Sequence, residues 1–254
     1  QQYADSQRWP LSWVYGREGR RLLAYEKTVV AASERAFLVS SREAALFRQL
    51  APECAERVRH FNNGVDHDYF NPDSVSENPF PAGAQTLVFT GAMDYWPNVD
   101  AVRWFAREVL PAIRARHPDV TFHIVGSNPA RDVQELAQLD GVCVTGRVPD
   151  VRPYLRHAVA AVAPLRIARG IQNKVLEAMA IARPALVSTM GLEGIDAVHG
   201  DSVLVCDSAD DYLRAVETLL TADPAMESHT DVGIRARALI EQNFNWSRNL
   251  APVR

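Results

Sequence analysis

The sequence predicts an α/β protein with a parallel sheet and helices on both of its faces. Three observations point there. From residue 86 onward, short apolar runs alternate with segments of helical period, the pattern of strands joined by crossover helices. Three of those runs end in a glycine, Gly91, Gly126 and Gly146, where a missing Cβ lets a loop turn sharply and lets backbone approach a ligand. Finally, a helix with a polar opening lies between the apolar runs at 158–163 and 185–187. Arg169, Asn173 and Glu177 fall four apart on one face of it, and Val175, Leu176, Met179 and Ala180 lie on the other. Each glycine alone is consistent with an ordinary turn; their repetition at one end of one sheet favours a shared ligand site.

Taken in order, residues 1–10 carry no periodicity. Residues 17–36 read as a helix, with Leu22, Leu23, Tyr25, Val29 and Val30 on a broad apolar face. A short strand at 36–40 follows, and Ser40 with Glu43 has the spacing of a capping box for a helix ending near Leu50. Residues 58–61 form another short strand, Asn62-Asn63-Gly64 signals a turn, and the Asp-, Asn-, Ser- and Pro-rich stretch 66–81 reads as an interdomain linker. Strands are expected at 86–91, 121–126, 141–146, 158–163, 185–187 and 202–205. Helices are expected at 98–116, 131–139, 150–157, 209–220 and 233–243, and Pro111 threatens to kink the first of these. The entrance of the polar-faced helix, flanked by cations, suits an anion, and phosphate is the natural one.

With 254 residues, 47% of them hydrophobic and 23% charged, the chain has ample core for one or two domains. A net charge of -4 speaks against a nucleic-acid partner. Cys54, Cys143 and Cys206 are odd in number and far apart, so they read as buried thiols in a reducing, cytoplasmic setting. No apolar run is long enough to span a bilayer. Asp66-His67-Asp68 has the Asp-x-Asp spacing of some divalent-metal sites but falls in a stretch that reads as a solvated turn, so no metal is expected. Trp9, Trp13, Tyr15, Arg17, Arg20 and Arg21 form an aromatic and basic opening, suited either to a membrane surface or to packing against a further domain.

Several pieces, in this order and spacing, resemble one known family: NGVDHDYFNP (63–72), LVFTGAMDYWPN (87–98), FHIVGSNP (122–129), VTGRVPDVRPYL (144–155) and NKVLEAMAIARPALVS (173–188). LEGI (192–195) and ARALIEQNFNW (236–246) also fit. The family is the group 1, family four-like glycosyltransferases, and the likeness is to the C-terminal half of their GT-B fold of two facing Rossmann-like domains. The variant GIQNKVLEAMA most resembles sugar transferases found with bacterial exopolysaccharide and PEP-CTERM sorting-signal clusters.

The resemblance implies a remnant of an N-terminal acceptor domain with its linker at 1–75 and a nucleotide-sugar domain at 76–240. A segment at 241–254 would return toward the N-terminal domain. It implies a donor linked to UDP or GDP, no cofactor, and a retaining transfer of a hexose to a glycan or lipid-linked acceptor. The setting would be cytoplasmic, at the inner face of the membrane if the opening residues touch it. Glu177 would hold the ribose hydroxyls, a role that suits a carboxylate. Arg169 stands where the family has a second glutamate, and an arginine cannot accept hydrogen bonds. Arg166, Arg169 and Lys174 are the candidates for the diphosphate, with Gly170 and Asn173 at the same entrance. Gly91, Met93 and Asp94 would face the interdomain cleft; Gly146, Arg147 and Val148 would offer backbone to the base; Thr189 would border the crevice. The catalytic residues would lie in the N-terminal domain, so this chain is expected to bind nucleotide weakly and turn over little. A non-catalytic sugar-nucleotide or glycan-binding module and a sugar-nucleotide epimerase of the same fold remain the alternatives.

Overall fold

In the computed structural model, which describes residues 9–75, 77–221 and 230–250, the chain divides into two compact units. One ends at Asn62 and the other begins at Asn63. Most of the opening decapeptide lies outside the described residues.

The first unit runs through α1 (Leu11–Ala32), β1 (Ala36–Leu38), α2 (Ser41–Leu50) and β2 (Val58–His60). The two strands pair in parallel, with Ala36 opposite Val58. Ser40 caps α2 as its spacing foretells, its hydroxyl accepting from the Glu43 N–H at 3.1 Å. The expected inward face of α1 is the first correction. Val30 is buried, but Leu22, Tyr25 and Val29 are exposed. The cause is the small core of this unit, Val30, Ala44, Ala51, Cys54 and Val58, which meets α1 toward its C-terminal end, at Lys27 and Val30.

The second unit carries a six-stranded, all-parallel sheet in the order β5-β4-β3-β6-β7-β8. Its strands are β3 (Gln85–Thr90), β4 (Val120–Val125), β5 (Val142–Gly146), β6 (Ala160–Ala163), β7 (Ala185–Val187) and β8 (Leu204–Val205). The helices are α3 (Trp96–Trp104), α4 (Leu110–Arg114), α5 (Arg131–Gln134), α6 (Arg152–His157), α7 (Asn173–Ala180), α8 (Ala209–Thr221), α9 (Thr230–Asn243) and α10 (Trp246–Asn249). Leu87, Val88 and Phe89 are wholly buried, which is why β3 reads as an unbroken apolar run rather than an alternating one. On one face, Phe105 packs on Phe122 at 4.6 Å between ring centroids and edge-on against Tyr212 at 5.3 Å. On the other, Leu176 and Met179 of α7 pack with Ile240 and Phe244.

The long helix expected at 98–116 is interrupted. A π-turn, Phe105–Val109, separates α3 from α4. Pro111 has no N–H to continue the α-ladder and its ring crowds the carbonyl four residues back, so the turn just before it widens.

The stretch 66–81 is no free linker. Val65, Phe70 and Phe80 are buried in the second core. The carbonyls of Tyr69, Phe70 and Pro72 accept from Arg152, Arg237 and Arg156 at 2.9, 3.0 and 3.0 Å. The boundary accordingly falls at 62/63 rather than 75/76. The closing segment also belongs to the second unit: Val65 N–H donates to the Phe244 carbonyl at 2.9 Å, Asn249 donates to the Asn63 carbonyl at 3.1 Å, and Trp246 lies against Gly64. His67 shares a 2.8 Å contact with Asn245. Among the described residues, no three His, Cys, Asp or Glu side chains gather as they would around a metal ion.

Candidate functional site

The strand order places β3 beside β6. From that seam the chain winds outward in both directions, so the loops leaving the two strands part and open a crevice at their carboxyl ends. The crevice encloses about 600 Å³, well within the ~300–1,000 Å³ of small-molecule sites. Residues 90–92 at the end of β3, 125–127 at the end of β4, 147 and 148 after β5, and 171–174 with Glu177 at the start of α7 form its walls.

Two glycines let these walls meet. At Gly126, with φ +159°, a Cβ would fall 1.7 Å from the Gly91 carbonyl oxygen. At Gly91, with φ +154°, it would fall 2.8 Å from the Asn98 amide nitrogen and 3.5 Å from Lys174 Nζ. Only a residue without a side chain fits either place.

Lys174 is the electrostatic centre. Its ammonium donates to Asn98 Oδ1 and sits 4.5 Å from the centroid of the Phe89 ring. Asn98 in turn donates to the Ala92 carbonyl at 2.8 Å. Asn98 thus lies in the first turn of α3, whose N-cap, Tyr95, makes no side-chain bond. Burial pulls the Lys174 ammonium down to about 8, against the opposing pull of the Glu177 carboxylate. Burial likewise pushes Glu177 above the usual carboxylate range, with Lys174 restraining it.

α7 begins at Asn173, after an N-cap, Gln172, that makes no side-chain capping bond. Gln172 turns back to the carbonyls of Arg169 and Gly170 at 3.2 and 3.1 Å instead. Asn173 and Lys174, whose backbone N–H groups are left without a capping side chain, line the crevice, an arrangement that favours an anion. Asn173 is held by the Asn63 side chain. Arg147 adds a second cation at the rim; it is exposed and, among the described residues, makes no hydrogen bond or ion pair.

Of the residues singled out from sequence, Gly91, Arg147, Val148, Asn173, Lys174 and Glu177 meet on this crevice. The others do not line it. Arg166 is turned away and grips Asp100 with two hydrogen bonds, 2.5 and 3.0 Å. Arg169 lies ahead of α7 rather than on its face, with its guanidinium 3.8 Å from Glu193, and the Gly170 N–H donates to the same carboxylate at 3.2 Å. Met93 is fully buried among core side chains, its backbone tied to Ser127 and Ala130. Asp94 accepts from Asn128 at 3.2 Å. Gly146 has open space about its Cα and reaches the site only through its carbonyl, which accepts from Gly126 N–H at 3.1 Å. Thr189 is committed to Asp207 through both its N–H and its hydroxyl, at 2.8 and 2.6 Å. Gly126, which the sequence marks only as a strand-end glycine, joins the walls with Ser127, Asn98 and Gln172; its strand end is the signal that points to Ser127 as well.

Residues 84–222 match the sequence profile of a family described as glycosyl transferases group 1. No curated protein sequence matches the chain. Among solved structures, a glycosyltransferase from Rickettsia africae superposes with a TM-score of 0.71 at 13% identity, over 92% of this chain and 65% of that one. Sucrose-phosphate synthase from Thermosynechococcus elongatus gives 0.71 at 22% identity, over 91% and 59%. Anabaena HepE, in complex with UDP and glucose, gives 0.67 at 13%, over 89% and 66%. The chain thus spans roughly three fifths to two thirds of the length of these structures and shares the α/β architecture of GT-B glycosyltransferases. Since the profile covers more than half of the sequence, this chain belongs to the group 1 glycosyltransferase family.

Proposed function

We propose that the crevice binds the nucleoside diphosphate of a sugar donor, UDP- or GDP-linked, and that the protein transfers a hexose to a glycan or lipid-linked acceptor. One observation carries the reading: an uncapped helix start opens onto a glycine-walled crevice, with Lys174 and Glu177 one turn apart inside it. In this reading the α7 N–H groups and Lys174 take the diphosphate, with Arg147 as a further cation. Glu177 accepts from the ribose hydroxyls. These groups neutralise a departing nucleoside diphosphate with charges already in place. That HepE has been seen with UDP and glucose supports the choice of ligand.

Retention of anomeric configuration, a role in exopolysaccharide synthesis and a cytoplasmic setting belong to the same proposal. So does a peripheral contact with the inner membrane face through Trp9, Trp13 and Arg17. Among the described residues no helix is long and apolar enough to cross a membrane. The chain by itself is proposed to hold nucleotide weakly and to transfer little, and transfer at an ordinary rate by this polypeptide would remove that part.

The test is a thermal-shift series with UDP, GDP, ADP and their sugars. At least one diphosphate should raise the melting temperature, and Lys174→Ala and Glu177→Ala should each abolish the rise. A rise that survives both substitutions discards the assignment. A second reading, a binding module without transfer, is favoured by Arg169, which directs its guanidinium toward Glu193 where the family resemblance calls for a glutamate. Donor binding without release of nucleoside diphosphate, whatever acceptor is offered, would select it.

A further inference from the structure

Asn98 of α3 faces the crevice, whereas Asp100, two residues on, faces a separate groove of about 280 Å³. Asp100, Arg103, Trp104, Arg107, Glu108 and Arg166 line it, and none of them touches the crevice. Its size, just under the ~300–1,000 Å³ of typical ligand pockets, suits one sugar ring rather than a nucleotide.

The groove is built rigidly. Trp104 is half-buried and held edge-on by Tyr212 at 6.0 Å. Arg166 is fixed by its two bonds to Asp100 and lies 5.7 Å from the Trp104 ring. Arg103 donates to Asp132 at 2.7 Å. Arg107 differs from these: it is exposed and, among the described residues, has no hydrogen-bond or ion-pair partner. It stands with Glu108 on the π-turn, a conformation that recurs at binding sites.

An indole plate ringed by positioned guanidinium donors and carboxylate acceptors matches the chemistry of a pyranose. The apolar ring face can stack on the indole, and paired hydroxyls suit the forked polar groups. The uncommitted Arg107 favours a ring that carries a carboxylate, which a guanidinium binds in bidentate fashion. We propose that this groove is a second saccharide site, taking one acidic sugar unit of a glycan, apart from the donor crevice. It goes beyond the donor reading and does not depend on it, because no groove residue belongs to the crevice.

Calorimetric titration of the full chain tests it. The probes are a short oligosaccharide of alternating glucuronic acid and N-acetylglucosamine, a neutral N-acetylglucosamine oligomer of equal length, and inorganic phosphate, each with and without saturating UDP. The acidic oligosaccharide should bind, unaffected by UDP, and about tenfold more tightly than the neutral one. Arg107→Ala should weaken it about tenfold, the effect of one charged hydrogen bond, with unchanged thermal unfolding because the side chain is exposed. Trp104→Phe should also weaken it. Should that variant unfold through loss of its packing on Tyr212, Arg107→Ala decides alone. Four results would each overturn the proposal: no binding at ~1 mM, displacement by UDP, indifference to Arg107→Ala, or phosphate binding as tightly as the saccharide. Failure of both UDP and GDP to bind, with saccharide binding intact, would count against the donor reading only.

Discussion

Lys174 carries the largest share of the chemistry argued above, and its charge should be visible in solution. Its folded-state value lies near 8, below the ordinary 10.5 of a lysine. Between these values the unfolded chain binds more protons than the native one, so free-protein stability should rise as pH climbs from about 8 toward 10.5. Below 8 the native state bears the cost of a desolvated cation. Lys174→Met should therefore flatten that rise in stability between about pH 8 and 10.5, read by chemical denaturation across the range, and remove nucleotide binding. Binding an anion should restore the proton: at pH 8.5, titrations in buffers of different ionisation enthalpy should show proton uptake with UDP. No uptake would mean that the ammonium is not the contact. This residue was legible because it stands inside a helix start between two strand signals. Arg166 was not, because its partner Asp100 lies 66 residues earlier and only the fold brings the two together. Met93 likewise reads as a loop residue, and its burial appears only once the loop after β3 folds under the Ser127 backbone.

At the level of elements, the apolar runs and their terminal glycines were plain in the sequence because a parallel sheet covered on both faces demands unbroken hydrophobic strands. The glycines proved unequal. Gly126→Ala would drive a methyl to within 1.7 Å of the Gly91 oxygen, so it should cost more than ~3 kcal/mol, well beyond a typical single substitution. Gly146→Ala meets no atom within 4 Å and only its φ of +70° opposes it, a penalty of ~1–2 kcal/mol. Chemical denaturation of the two variants checks the ranking, and equal losses would contradict the geometry. The strap at 66–81 reads as a free linker because its polar composition hides Phe70 and Phe80, and Val65 just ahead of it. The break in the 98–116 helix could be suspected from Pro111, but its form as a π-turn could not.

Across the whole molecule, both larger cores and every residue of the crevice come from the unit that begins at Asn63. A protein starting at Asn63 should therefore melt cooperatively and show the same nucleotide-induced rise as the full chain. Loss of that rise in a folded, shortened protein would show that the first unit shapes the site. The parallel architecture was legible from alternation alone; the place of the division was not, since the seam at 62/63 falls in a run of polar residues indistinguishable from the strap that follows.

The seating of that strap also has a consequence for how the protein is made. Val65, His67 and Phe70 are tied to Phe244, Asn245 and Arg237, 167 positions later in the chain for Phe70 and 178 for His67. During translation the strap emerges early, and Val65 and Phe70 must wait for almost the entire remaining polypeptide before these partners appear, whereas Phe80 meets His123 and Tyr154 sooner. A nascent chain of this kind offers Phe70 to chaperones for as long as the ribosome takes to reach its closing helices.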